Sequence, residues 1–178
     1  MRLALGLSPH TGWAACVLAG GSLREPRIEA REELALVDDA DRFVFHRAAE
    51  MKRADAEHSV ARVRTSAIER AAAVFRRLKE GRDVRACAIV AKLGQLPELD
   101  VIVASHPRIH SAEGMFYRDV LVAAASASGL TPRVLSPAKL DANDPALVAA
   151  GRVAGKPWNR DLRIAALAAW LSLSERRT

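Results

Sequence analysis

The sequence predicts an α/β fold, a five-stranded mixed sheet flanked by helices, in the order strand, strand, strand, helix, strand, helix, strand, helix. Three observations predict it. Residues 1–37 carry short apolar or alternating runs with no helical period. A long stripe of apolar residues at three- and four-residue steps follows. Beyond it, apolar runs alternate with helix-compatible stretches, each stopped by Gly or Pro. A chain of 178 residues can bury one sizeable core, so a single domain over 1–178 is expected.

Leu3 to Leu7 and Trp13 to Ala19 are apolar runs separated by Pro9 and Gly12 and read as a hairpin that ends at Gly20-Gly21. Arg27 to Val37 alternates in part, with Ile28, Ala30, Leu34 and Leu36 among charged residues, as a half-buried third strand does. From His46 to Lys79, Val60, Val63, Ala67, Ala71, Val74 and Leu78 mark one stripe of a long helix that Gly81 ends. Arg62, Arg64, Arg70, Arg76, Arg77 and Lys79 fall on its other faces, where a solvated surface is the simplest reading. Val84 to Ala91 has the length of a buried central strand. Between Leu99 and Ser128, Pro107 and Gly114 predict a short helix or turn and then a longer helix from Ala112 to the stop at Gly129. Arg133 to Ser136 is a short strand, and 141–155 reads as a surface connection with a helical turn. The closing helix runs from Asn159 to Leu173, with Pro157 and Asn159 as start signals. The polar end, 174–178, reads as a tail.

Half the residues are hydrophobic but only 4% are aromatic, so the core is expected to be aliphatic with closely packed helices. The net charge of +6 permits attraction to nucleic acid or another anionic surface. Cys16 and Cys87 sit in apolar strand-like runs, which predicts buried thiols and no disulfide framework. Ser8-Pro9-His10-Thr11-Gly12 interrupts the apolar start before it reaches the length of an export signal, and nothing else is long enough to span a bilayer. A cytoplasmic protein without a membrane contact is expected, and the long helix leaves room for a homodimer.

The opening Leu3-Ala4-Leu5-Gly6-Leu7-Ser8-Pro9-His10-Thr11-Gly12-Trp13 resembles that of the RuvC-type resolvases of the ribonuclease H-like superfamily, in which a Gly-hydrophobic-Asp-Pro run starts the active site. Gly155-Lys156-Pro157-Trp158-Asn159-Arg160-Asp161, running into Ala165-Ala166-Leu167-Ala168-Ala169-Trp170, resembles the acid-bearing, Ala-rich last helix of the same group. The resemblance implies a ribonuclease H-like sheet. It also implies carboxylates converging from strand one, the end of strand four and the last helix, which hold two divalent ions about 4 Å apart. This chain departs from that pattern: Ser8 stands where the first Asp belongs, strand four ends at Ala91-Lys92, and Ile164 stands one turn after Asp161. A hydroxyl and a lysine cannot replace two hard anionic ligands, so a nuclease-related hydrolase of the ordinary two-metal type is incomplete here.

Ser105-His106-Pro107-Arg108-Ile109-His110-Ser111-Ala112-Glu113-Gly114 forms a second constellation. On a continuous helix His106, His110 and Glu113 share a face, a spacing that can ligate a transition metal or assemble a proton-transfer pair. In the bland reading Ser111 caps the helix, Glu113 favours its positive end and the histidines are surface residues. The segment follows strand four, which in the implied fold brings it towards Ser8 and His10. The candidate catalytic set is therefore Ser8, His10, His106, His110, Glu113 and Asp161, with His106, His110 and Glu113 as the metal ligands and Arg118, Lys156 and Trp158 as substrate contacts. His46 and His58 fall on the long helix and read as structural or exposed.

Three functions compete. The first is a nucleic-acid-binding or nucleic-acid-processing protein of the RuvC-like group with a non-standard site. The second is a non-catalytic partner or scaffold similar to the TsaB-like proteins of the tRNA-threonylcarbamoyl pathway, favoured by the missing acids. The third, a small-molecule or phosphate enzyme of the actin-like kinase branch, rests on the hairpin turn alone and ranks last.

Overall fold

The computed structural model describes residues 1–22 and 24–174, so all of the predicted tail but Ser174 lies outside the described residues. Arg2–His10 (β1) is apolar on both faces because it lies at the centre of the sheet. Trp13–Gly21 (β2) returns antiparallel beside it through Thr11 and Gly12, the latter at φ +83°, a left-handed position that suits glycine. Pro26–Ala35 (β3) pairs antiparallel with β2 as an edge strand, and its charged residues discourage further pairing. Asp83–Val90 (β4) and Pro132–Leu135 (β5) add parallel on the other side, giving the order β3-β2-β1-β4-β5. This is the mixed five-stranded sheet that the sequence predicts.

Strand alternation sorts the side chains between two layers. Leu5, Leu7, Cys16, Cys87 and Ile89 face one side, where they pack on Arg53–Lys79 (α2) through Val63, Ala67, Ala71 and Phe75 and on His106–Ala127 (α4) through Phe116, Tyr117, Val120 and Leu121. Ala4, Ala15, Val17, Ala19 and Ala86 face the other, against Leu162, Ala165, Ala166, Ala169 and Trp170 of Arg160–Ser174 (α7). Contact there is close because the facing residues are small. A Cβ added to Gly6 would lie 1.8 Å from the Ala165 carbonyl oxygen. Trp170 Nε1 donates to the Gly20 carbonyl at 2.8 Å and fixes the far end of the helix.

Cys16 and Cys87 lie on the strands either side of β1, opposite Leu7 and Leu5 respectively. Two strand spacings, about 10 Å, exceed the reach of a disulfide. Burial pushes the Cys87 thiol up to about 12 and Cys16 higher still, so both are inert core residues.

Two expected helix boundaries differ. The stretch from His46 to Lys79 is not one helix: Val44–Ala48 (α1) ends before α2 begins at Arg53. The helix expected from Ala112 starts earlier, at His106, because Pro107 sits in the first turn, where its missing N–H has no helical acceptor to lose. Ser111 is therefore interior to α4 and caps nothing. A short helix, Leu99–Val103 (α3), precedes it, and Pro145–Ala149 (α5) and Gly151–Ala154 (α6) occupy the connection before α7. No helix among the described residues is long and apolar enough to cross a membrane.

Candidate functional site

Because β1 and β4 are parallel, their C-terminal ends open on one edge of the sheet, where α7 begins. Ser8 and His10 share the strand face of Ala4 and Gly6 and so point towards α7, Ser8 buried and His10 partly exposed. The His10 ring stacks on Trp13, centroids 4.2 Å apart and planes within 9°, which aims Nε2 at Asp161 Oδ1, 3.3 Å away. The two groups approach without hydrogen-bond alignment, and Nε2 has no hydrogen-bond partner. Asn159 sets the start of α7, its Oδ1 accepting from the Leu162 N–H at 2.9 Å, and so places Asp161 in the first turn.

The rest of this corner is apolar or positive. Val90, at the end of β4, packs with Ala88, Ala142, Ile164 and Ala168, so Ile164 fills the place one turn after Asp161 with a buried hydrocarbon. Lys92 follows as an exposed cation. Asp161 beside an aliphatic floor does not fit a pair of divalent ions, each of which needs several oxygen ligands, and no close group of three or more His, Cys, Asp or Glu ligands forms here among the described residues.

Of the three expected substrate contacts, two are committed elsewhere. Arg118 is buried, its Nη1 donating to the Lys92 carbonyl at 2.8 Å and its Nε to Asp119 Oδ1 at 2.8 Å; it ties the end of β4 to α4. Trp158 is half-buried, its Nε1 donating to the Leu147 carbonyl at 3.0 Å while its ring covers Gly151. Both side chains are thus held by hydrogen bonds within the fold. Lys156 is exposed, and its backbone carbonyl accepts from Arg31 Nη2 at 2.7 Å. No ion pair among the described residues engages the exposed side chains of Lys92, which follows β4, Arg160, which opens α7, or Lys156, which lies by Arg31 of β3. Four arginines of α2 are paired instead, Arg62 with Asp41, Arg70 with Asp38, Arg77 with Glu32, and Arg53 with Glu57 and Asp100, while Arg64 and Arg76 share no ion pair among the described residues.

A second group lies on the opposite layer. His106 and His110, one turn apart on α4, meet His46 of α1, so that one nitrogen from each ring lies within 4.8 Å of one from each of the others. His106 Nε2 and His110 Nε2 are 2.8 Å apart. Glu113, expected as the third metal ligand, is instead buried beneath them. Its Oε1 accepts from the Phe45 N–H at 3.0 Å and lies 3.3 Å from His46 Nδ1. The carboxylate serves the positive end of α1, whose own N-cap, Phe43, offers no side-chain acceptor, rather than that of α4. Burial pushes the Glu113 carboxyl up from its ordinary range, partly offset by its bonds to His46 and Phe45, and Oε2 has no partner.

The single cluster expected around Ser8, His10, His106, His110, Glu113 and Asp161 is therefore two. Ser8, His10 and Asp161 occupy the α7 side, while Ile109, Ala112 and Phe116 root the histidine-bearing turn of α4 in the other core. Strand parity is the reason: even positions of β1 face away from α4. His46 is the residue that sequence reasoning missed. Residues 49–52 contain no Gly or Pro to announce the break that frees α1 from α2.

No protein-family model matches the sequence, and no curated protein is similar to it in sequence. Solved structures are similar in fold. Thermus thermophilus RuvC in complex with a Holliday junction substrate superposes with a TM-score of 0.60 at 11% identity, covering 99% of this chain and 96% of that one. Another Thermus thermophilus RuvC structure gives 0.58 at 12% identity over 98% and 95% of the two chains. The chain thus has the ribonuclease H-like fold of RuvC over nearly its whole described length.

Proposed function

We propose that the protein binds nucleic acid at the corner where β1, β4 and α7 meet and does not hydrolyse it by the two-metal carboxylate route. The observation that carries this reading is the composition of that corner: Asp161 faces His10 over a floor of Val90 and Ile164, with the exposed cations Lys92 and Arg160 after β4 and at the start of α7 and Lys156 four residues before Arg160, none of them in an ion pair among the described residues. Cations with no acid partner are free to replace the counterions of a phosphate backbone. The likeness to a RuvC bound to a Holliday junction supports a branched or duplex ligand. With few aromatics to stack bases, attraction is mainly electrostatic. The two buried, unbridged thiols fit a reducing, cytoplasmic setting.

Fluorescence polarisation with labelled four-way junction, duplex and single-stranded DNA tests it. Binding is expected at low salt and is expected to weaken steeply as salt rises, and Lys156→Glu with Arg160→Glu weakens it by roughly tenfold or more. Absence of binding to all three at low salt overturns the reading. It would favour the scaffold reading, similar to the TsaB-like proteins, which the missing acids also suit.

A further inference from the structure

We infer that His46, His106 and His110 form a binding site for a late first-row divalent metal ion of the zinc class, with Glu113 orienting one ligand from behind. The site stands apart from the corner of β1, β4 and α7 and does not depend on what that corner binds.

The geometry supports three imidazole ligands around one point. Their rings meet edge to face, with centroids 4.4 Å apart for His106 and His110, 4.8 Å for His46 and His110, and 5.2 Å for His46 and His106. A tetrahedral zinc ion with Zn–N bonds near 2.0–2.1 Å sets its ligand nitrogens about 3.4 Å apart. The His106–His110 pair at 2.8 Å is slightly closer than this, and every pair lies within 4.8 Å. Both α4 histidines are exposed, so small ring rotations close the difference without disturbing the core.

The chemistry agrees. The His106 and His110 Nε2 atoms face each other at 2.8 Å, so both point at one position where a single ion would meet the two rings. Metal binding requires the neutral imidazole and releases any proton held there to solvent. His46 directs Nδ1 at Glu113 Oε1, which leaves Nε2 as its ligand atom. A buried carboxylate behind a histidine is the arrangement that fixes ring orientation and tautomer at zinc centres. The same Glu113 oxygen is itself held by the Phe45 N–H at 3.0 Å. An all-imidazole set selects zinc, cobalt, nickel or copper over magnesium or calcium. Packing does not require these residues, since His106 and His110 bury little. The fourth position is open to solvent, as in zinc sites with three protein ligands.

The test uses the full chain after dialysis against a chelator, titrated with ZnCl₂ by calorimetry and with CoCl₂ by visible absorption. One equivalent is expected to bind, and Co²⁺ is expected to give the intense visible bands of tetrahedral coordination. His106→Ala, His110→Ala and His46→Ala should each weaken Zn²⁺ at least about 100-fold, and Glu113→Gln about 10- to 100-fold. His58→Ala, on the exposed face of α2, should change nothing. Circular dichroism checks each fold, and exposed His110 supplies a variant that leaves the core untouched. Lack of stoichiometric binding, or binding that survives the His106→Ala/His110→Ala double substitution, overturns the inference.

Discussion

A carboxylate as buried as Glu113, at 2% exposure, is unfavourable unless other groups satisfy it, and here the first turn of α1 and the His46 ring do so for Oε1 alone while Oε2 is left without a partner. A neighbouring acid shows the opposite balance. Asp41 accepts from Arg62 at 2.8 and 3.0 Å and also pairs with Arg47, and these guanidiniums hold its carboxyl below the usual carboxylate range. Its backbone carbonyl and that of Arg42 accept from the buried Tyr117 hydroxyl, at 3.3 and 2.7 Å, so the segment before α1 is clamped from both α2 and α4. A depressed folded pKa gives stability that is fully present above the unfolded value of about 3.9 and is lost as pH falls through the lower folded value. Melting temperature should therefore fall on acidification below about pH 4, and Asp41→Asn should lower it at neutral pH while flattening that acid limb. Thermal denaturation followed by circular dichroism across pH checks both expectations. None of these partnerships was legible in the sequence, since Asp41, Arg62 and Tyr117 are far apart along the chain. His106 and His110 were legible, because a four-residue spacing on a helix needs no tertiary information.

Helices and strands were legible where local pattern and tertiary packing agree. The stripe of α2 recurs in the structure, with Val63, Ala67, Ala71 and Leu78 buried. Misplaced boundaries arose where packing overrides local signals: the break at 49–52 carries no breaker residue, and Pro107 opens a helix that it was expected to delay. Two glycines separate the effects. Gly6 is required by the approach of α7 to β1, because an added Cβ would meet the Ala165 carbonyl at 1.8 Å. Gly114 lies exposed within α4 with nothing within 4 Å of such an atom. Gly6→Ala should destabilise the fold by at least about 2 kcal/mol as an overpacked core does. Gly114→Ala should stabilise it by about 0.5–1 kcal/mol through helix propensity. At about 2–4 °C per kcal/mol for a chain of this size, melting temperatures resolve the opposite signs. Equal effects at the two positions would contradict the packing described for α7.

At the scale of the whole molecule, element order was the strongest signal, because a hairpin and third strand before one long helix leave few sheet topologies open. What order could not supply was the side of the sheet on which each polar residue falls, and so one expected site became two. The fold is that of RuvC, yet the corner of β1, β4 and α7 presents Ser8, Lys92 and Ile164 near Asp161. Binding without cutting is the central claim, and one assay reads both. A labelled four-way DNA junction is incubated with the protein and Mg²⁺, then resolved on native and denaturing gels. The account predicts a retarded junction whose strands remain intact, with Asp161→Asn leaving that pattern unchanged. Mg²⁺-dependent strand cleavage that disappears with Asp161→Asn would contradict it.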